Sequence, residues 1–263
     1  MSKLFNAIVI CILIYYPRST LGWGMTGHRV IGKIAYEYLS NKAKKAVGEI
    51  LGNETMALSS TWADFIRSDS SFNYLTKWHY VDFTTGLDQK GFNEFLRTDK
   101  AVDAYTRINL CIRELKNKKS EAKDKQLYLR MLIHMVGDLH MPFHTGRAED
   151  AGGNKIQVTW FNRPSNIHKV WDSDIIDFQQ LSYTEYAESI NFSTQAEREK
   201  WTNGGLNLWL FDSYQMVEAL YKENISSGQK LGFEYNFKHI DRVNSQLLKG
   251  GIRLAYLINF IFE

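Results

Sequence analysis

The chain has little cysteine and little proline, and each shortage excludes a class of structure. Only Cys11 and Cys111 occur among its 263 residues, which excludes a framework of several disulfides. With three prolines, no internal repeat and no low-complexity tract, the sequence shows no linker between domains. The uncharged apolar run at residues 7–16 is too short to cross a bilayer, which takes about 20 helical residues, and no later run is long enough either.

The first 22 residues have the layout of a secretory signal peptide. Lys3 is the only early charge, the apolar run 7–16 follows it, and small residues stand at Thr20 and Gly22 before the predicted cleavage point. We therefore expect a mature chain that begins at Trp23, is secreted or periplasmic, and has no membrane anchor.

Cleavage would leave a nearly neutral protein. The whole chain has 32 Lys and Arg against 29 Asp and Glu, and removal of Lys3 and Arg18 leaves 30 against 29. A basic surface is therefore no argument for a nucleic-acid partner. Cys111 would remain without an intramolecular partner, and a chain of about 240 residues is long enough to form a substantial core without disulfides.

The hydrophobic periodicity predicts an all-α fold. Apolar residues recur at helical spacing through most of the chain, and strand-like alternation is confined to residues 155–161, where Gly152-Gly153-Asn154 and a later turn indicate one small β-hairpin. We predict one compact helical domain over residues 23–263. Its helices are expected at residues 28–39, 42–51, 56–67, 91–116, 123–141, 167–179, 184–190, 194–201, 206–222 and 237–262.

Residues 134–144 hold the densest group of possible metal ligands. His134 and Asp138 stand four apart and so share one face of the predicted helix. Pro142 disfavours helical geometry at the preceding residue, so that His144 can turn back toward the same point. Imidazole nitrogen and carboxylate oxygen together suit zinc. The spacing alone is more typical of a buried helix that carries hydrogen-bonded histidines and an ion pair, so the case for a metal depends on the rest of the chain.

Further potential ligands occur in short motifs elsewhere in the chain. Six of the seven histidines lie in or beside these motifs, and only His239 lies far from them. In the predicted extended segment 78–82, His79 and Val81 face one side while Tyr80 and Asp82 face the other. The motifs are Trp-Gly-x-x-Gly-His at 23–28, Trp-Ala-Asp-x-x-Arg at 62–67, His-Tyr-Val-Asp at 79–82, His-x-x-Gly-Asp-x-His-x-Pro-x-His at 134–144, Gly-Gly-Asn at 152–154 and Asn-x-His-x-x-Trp-Asp at 166–172.

Taken together in this order, the six motifs resemble those of the S1/P1 nucleases. These are zinc-dependent single-strand nucleases and 3′-nucleotidases that share a helical fold with bacterial zinc phospholipase C. The resemblance implies three Zn²⁺ ions. It implies that one zinc is bound by Asp64, His79, His134 and Asp138, a second by Asp138, His28 and the free amino group and carbonyl oxygen of Trp23, and the third by His144, His168 and Asp172.

The resemblance also implies how the site works. Water activated by zinc, rather than a protein side chain, would attack phosphorus, with Asp64 as a ligand of the activating pair and Arg67 as the cation that stabilises the transition state. Tyr80 would stack on a base, and Asp82 and Asn154 would bind its edge. His140 is outside the ligand set, and the sequence favours a structural and an outer-shell role for it equally.

The function that the resemblance implies is that of an exported trizinc phosphodiesterase, and it rests on all six motifs in register rather than on any one of them. It would cleave the P–O3′ bond of single-stranded RNA and DNA to leave 5′-phosphates, and remove phosphate from 3′-nucleotides, acting as a monomer. The sequence leaves two alternative functions open: a zinc phospholipase C, and a helical zinc-binding protein without catalysis. Arg67 and the base-binding residues favour the nuclease, because a storage protein needs neither.

Overall fold

The computed structural model describes residues 23–263, so the predicted signal peptide at residues 1–22 lies outside the described residues. Over the described part the fold is mainly helical, as predicted, and none of its helices is long and apolar enough to cross a membrane. The α-helices are α1 (Met25–Glu37), α2 (Asn41–Leu51), α3 (Met56–Ser59), α4 (Trp62–Phe65), α5 (Gln89–Thr98), α6 (Ala104–Lys116), α7 (Ala122–Asp138), α8 (Ile167–Lys169), α9 (Ile175–Phe178), α10 (Tyr183–Ile190), α11 (Gln195–Thr202), α12 (Gly205–Tyr221) and α13 (Phe233–Phe262).

The predicted hairpin is present as β1 (Gln157–Trp160) and β2 (Arg163–Asn166). Its turn residues Phe161 and Asn162 both have positive φ, of 46° and 63°, as a two-residue turn of type I′ requires. A third strand, β3 (Lys230–Leu231), pairs in parallel with β1 and gives the sheet order β2-β1-β3. The sequence prediction missed β3 because two residues show no alternation.

Helix α7 lies at the centre of the fold. It packs against α6, α13, α4 and α1, and its residues from Met131 to Asp138 are all buried. A helix that is buried on every side needs neighbours around its whole circumference, so its last two turns, which carry His134 and Asp138, are held rigidly. The long helix α13 packs along α1 and completes the enclosure.

The helix predicted at 167–179 is α8, a π-helical turn and α9, and three other predicted elements also differ from the structure. The helix predicted at 91–116 is two helices, because Asp103 caps α6 by accepting a hydrogen bond from the N–H of Thr106 and so starts a new helix. The helix predicted at 56–67 is α3, α4 and a 3₁₀ turn, and Thr55 caps α3. The extended segment predicted at 78–82 starts only at Tyr80, since a 3₁₀ helix continues through His79.

The extended stretch after His79 nevertheless has the predicted alternation. His79 and Val81 are buried, whereas Tyr80 and Asp82 are exposed. The N–H of Val81 donates to the carbonyl of His144 at 2.8 Å. This backbone bond holds the His79 segment against the turn that follows α7, so ligands distant in sequence lie side by side.

The cap of α6 gives a testable dependence of stability on pH. Burial first, and then the neighbouring Asp99, raise the pKa of Asp103 from its ordinary 3.8 to about 7. A carboxyl whose folded-state pKa is raised stabilises the fold fully below its ordinary pKa, and this stabilisation is lost as the pH rises through 7. Asn in place of Asp103 keeps the cap without the charge.

We therefore expect Asp103→Asn to be more stable than the parent at pH 8, by at least the 1.4 kcal/mol or so that one pKa unit represents, and nearly equal to it at pH 4. Urea unfolding of both proteins in the presence of a chelator checks this. An equal difference between the two proteins at both pH values would contradict the assignment of the raised pKa.

Candidate metal centre

The carboxylate of Asp138 is the hub of a buried cluster of imidazoles. Its Oδ2 lies 3.1 Å from Nε2 of His134 and 3.2 Å from Nδ1 of His79, and its Oδ1 lies 3.3 Å from Nε2 of His28. His144 approaches the same carboxylate at 3.7 Å. One carboxylate therefore faces histidines from α1, α7, the 3₁₀ helix before Tyr80 and the turn after α7.

His28 reaches this cluster because α7 has a glycine where α1 crosses it. A Cβ on Gly137 would lie 2.9 Å from Nδ1 of His28, closer than side chains pack. The imidazole of His28 stacks on that of His134 with ring centroids 4.0 Å apart. The glycine of the 134–144 motif thus makes room for a ligand-type residue from another helix.

Asp64 completes this part of the cluster from α4. Single ligand atoms of Asp64, His28 and His134 lie within 4.8 Å of one another, as do those of His79, His134 and Asp138. The guanidinium of Arg67, one turn after Asp64, contacts its carboxylate at 3.5 Å. The predicted helical spacing of this pair therefore places a cation at the edge of the cluster.

A second group lies beside the first and contains three more of the predicted ligands. One ligand atom from each of His144, His168 and Asp172 falls within 4.8 Å of the other two. Asp172 is in a π-helical turn, Val170–Asp174, that follows α8. Such turns occur mostly as single insertions in helices, frequently at functional sites.

In three histidines of the two groups, Nδ1 is fixed by a backbone carbonyl. Nδ1 of His134 donates to the carbonyl of Ser60 at 2.7 Å, Nδ1 of His144 to that of His79 at 2.5 Å, and Nδ1 of His168 to that of Gly152 at 2.7 Å. A backbone carbonyl on one ring nitrogen is the usual partner of a histidine whose other nitrogen is a metal ligand, because it fixes the tautomer.

Buried polar atoms within the two groups also fit metal ions. Among the described residues, Nε2 of His79, Nε2 of His144 and Oδ1 of Asp172 are buried without a hydrogen-bond partner. Buried polar groups are almost always paired, because the loss of water otherwise costs about 1–3 kcal/mol each. Buried nitrogen and oxygen atoms of this kind are the donors that suit zinc.

The charges of the cluster lead to the same interpretation. Burial, and then repulsion from Asp64 and Asp138, raise the pKa of Asp172 well above its ordinary value. Burial alone would lower the pKa of His134. The negative charges of Asp138 and Asp64 outweigh this effect and raise the pKa to about 9. Three buried carboxylates held this close need positive charge among them, which divalent cations supply.

Trp23 is the first described residue, and its side chain is fully buried. The N–H of the next residue, Gly24, donates to the carbonyl of Asp172 at 2.8 Å, and a Cβ on Gly24 would lie 2.6 Å from Oγ of Ser173. The start of the described chain is therefore fixed against the π-helical turn that carries a predicted ligand.

The predicted substrate residues share one cavity with the ligands. This cavity has a volume of about 290 Å³. Tyr80 is 37% exposed at its wall, and the amide of Asn154 is held by a 2.8 Å hydrogen bond from its Nδ2 to the carbonyl of Ala151. The predicted site residues that line it are Arg67, His79, Tyr80, Asp82, His144, Asn154 and His168.

Five further residues of the cavity wall were not predicted as site residues, among them Thr76 and Phe143. Thr76 is three residues before His79 in a 3₁₀ helix, where residues three apart are eclipsed, so it faces the same side. The carbonyls of Ser60 and Gly152 that hold His134 and His168 were also missed. A backbone carbonyl gives no signal in a sequence.

Comparison with known proteins identifies the family. A model of the family described as S1/P1 nuclease matches residues 23–263, which are all the described residues. The chain belongs to the S1/P1 nuclease family. It is therefore a nuclease, a hydrolase, of a metal-dependent family, and its His and Asp groups could bind metal ions.

Relatives of this S1/P1 nuclease match it over nearly their full lengths. Endonuclease 5 of Arabidopsis thaliana is 27% identical, with 97% of this chain and 96% of the relative covered. Nuclease S1 of Aspergillus oryzae is 28% identical, with 92% of each covered. Nuclease P1 of Penicillium citrinum is 26% identical, with 91% of this chain and 97% of the relative covered.

Proposed function

We propose that this nuclease is an exported trizinc phosphodiesterase. It cleaves the P–O3′ bond of single-stranded RNA and DNA to leave 5′-phosphates, and it releases phosphate from 3′-nucleotides. The observation that carries the proposal is the single cavity lined both by ligand-type histidines and by Arg67, Tyr80, Asp82 and Asn154. A phosphate near the histidines would leave its base within reach of the aromatic and polar residues on the same wall.

The imidazole and carboxylate groups present suit zinc, and we assign three ions to them. Zinc bound here supplies Lewis-acid chemistry and lowers the pKa of water toward neutrality. We assign no catalytic step to a protein nucleophile. The proposed ligands are Asp64, His79, His134 and Asp138 for one ion, Trp23, His28 and Asp138 for a second, and His144, His168 and Asp172 for the third.

Arg67 has a separate role in this proposal. Its guanidinium lines the cavity and is positioned by Asp64, so it is held near the phosphate rather than near the base. A planar cation with several N–H donors suits the phosphate oxygens of a transition state, where negative charge accumulates.

Tyr80 and the residues beside it account for the preference for single strands. The carboxyl of Asp82 is partly buried and lies near Asp150 and Glu149. Burial first, and then these two acidic neighbours, raise its pKa. A base can stack on Tyr80 and present its edge to Asp82 only when it is unpaired, because the bases of a duplex are already stacked.

Removal of the signal peptide on export would also create a metal ligand. An α-amino nitrogen becomes a metal ligand only when cleavage before Trp23 converts an amide into an amine. Signal-peptide removal would therefore complete the second zinc site and activate the enzyme in one event. The fixed contact between Gly24 and Asp172 supports it, because it keeps the chain start beside the metal ligands.

Substrate comparison tests the proposed function. The zinc-loaded protein is assayed on single-stranded DNA, duplex DNA, a 3′-nucleotide and a choline phospholipid. Rapid cleavage of the single strand and the 3′-nucleotide supports the proposal, and 5′-phosphate ends on the products support the bond assigned. Activity on the phospholipid alone would instead favour a zinc phospholipase C.

Replacement of Tyr80 should weaken substrate binding without stopping the reaction. Stacking on an aromatic ring is worth about 1–3 kcal/mol per base, so Tyr80→Ala should raise KM for single-stranded DNA roughly 5- to 150-fold with little change in kcat. Tyr80→Phe keeps the ring and should resemble the parent. Ribose 3-phosphate has neither a base nor any other aromatic ring, so an equal loss of activity on this monoester would contradict the stacking role.

A further inference from the structure

His140 lies in the turn after α7, between two proposed ligands that belong to different zinc sites. Asp138 precedes it by two residues and His144 follows it by four. His140 is itself buried and faces away from the ligand groups, toward α13. Whatever fixes His140 therefore also fixes the path of the chain from one proposed zinc site to the other.

One face of α13 holds His140 at three points. The side chain of Gln246 donates to the carbonyl of His140 at 2.9 Å. Gly250 allows close approach, since a Cβ there would lie 3.3 Å from Cγ of His140. Nη1 of Arg253 donates to Nε2 of His140 at 3.2 Å. Residues 246, 250 and 253 are spaced by four and three and so share one helix face.

The imidazole of His140 is fixed in one tautomer by these contacts. Its Nδ1 donates to the carbonyl of Val136 at 2.7 Å, so its Nε2 is the acceptor for Arg253. Arg253 is itself anchored, because its Nε donates to the carbonyl of Trp201 at 2.8 Å and its Nη2 pairs with Asp212. The chain of bonds thus runs from α11 and α12 through α13 to the last turn of α7.

We propose that His140 is a positioning residue, through which α13 sets the spacing between Asp138 and His144 and hence the affinity of the protein for zinc. This inference rests on the proposed function, because it assigns a role toward the proposed zinc sites. The side chain of His140 contacts neither substrate nor metal. It acts by holding the turn that presents two ligands.

Gly250→Ala tests this role without removal of a polar group. The added methyl would lie 3.3 Å from Cγ of His140 and 3.2 Å from Cδ1 of Ile31, so these neighbours must give by a few tenths of an ångström. Because His140 is held by several hydrogen bonds, we expect its displacement to be passed to the turn. Alanine also favours a helix interior over glycine, so the variant should fold. We expect zinc affinity, measured by competition with a chromophoric chelator, to fall roughly 10-fold or more.

The matched control is Gly48→Ala in α2, where an added Cβ has no neighbour within 4 Å among the described residues. Gly48→Ala should have the parent's zinc affinity. Its unfolding temperature should equal or exceed that of the parent. Arg253→Met is the second test variant, because it removes the donor to Nε2 of His140 without leaving a buried charge unpaired, Asp212 being 42% exposed. It should lower zinc affinity as Gly250→Ala does.

The unfolding temperature of the zinc-free proteins separates positioning from plain stability. Lower zinc affinity in both test variants, beyond any change in zinc-free stability, supports the proposal. If both test variants keep the parent's zinc affinity, the positioning role of His140 is overturned, even if both variants are less stable than the parent. That result leaves the proposed function unaffected. A parent protein that binds no zinc overturns the proposed function and this inference together.

Discussion

Asp138→Asn should abolish cleavage of single-stranded DNA while the protein remains folded. The Asp138 carboxylate faces His28, His79 and His134 within 3.3 Å, so its charge is shared by two proposed zinc sites. A neutral amide is a poor zinc ligand. Because loss even of an outer partner of a ligand costs about 10- to 100-fold, loss of this shared ligand should cost at least about 100-fold in kcat/KM.

The same variant should lose bound zinc, which metal analysis after desalting would detect. Asp241→Asn is the matched control, since Asp241 is exposed on α13 and far in sequence from every proposed ligand. Circular dichroism confirms that both proteins fold. A folded Asp138→Asn protein with parental zinc content and parental activity would contradict the assignment of Asp138 as a shared ligand.

Arg67→Ala should lower kcat far more than it changes KM. The guanidinium lines the cavity beside the ligand groups, and its charge is most useful where negative charge develops on the phosphate. Loss of one such group typically costs about 100- to 1,000-fold in kcat. Steady-state kinetics on single-stranded DNA at constant zinc loading measures the effect.

Arg67→Lys separates charge from geometry. Lysine keeps the positive charge but lacks the planar fork of donors, so it should recover only part of the lost kcat. Zinc content should stay at the parental level in both variants, because Arg67 contacts Asp64 without being a ligand itself. A change confined to KM would show that Arg67 binds the ground state and would refute its transition-state role.

The sequence predicted most helices because their apolar faces have the helical period, and α7 is the clearest case. Its four-residue spacing brings Nε2 of His134 and Oδ2 of Asp138 to one face, 3.1 Å apart. The sequence did not predict the break between α5 and α6. Residues 99–103 contain neither proline nor glycine, and the capping role of Asp103 depends on a hydrogen bond that only the folded chain shows.

The convergence of the site could not be obtained from local spacing. Nothing near His79 in the sequence shows that it meets His134, 55 residues later, with ring nitrogens 2.9 Å apart. That expectation came from the resemblance of six motifs to one family. The resemblance in turn gave no sign of the α13 contacts to His140, because Gln246, Gly250 and Arg253 lie outside all six motifs.

The most direct test of the metal-centre account compares two preparations of this protein, one that begins at Trp23 and one with a single extra residue before it. Zinc content and cleavage of single-stranded DNA are measured on both. We expect the first to carry about three zinc ions and to cut, and the second to lose one ion and most of its activity. Equal zinc content in both, with no cleavage by either, would contradict the account.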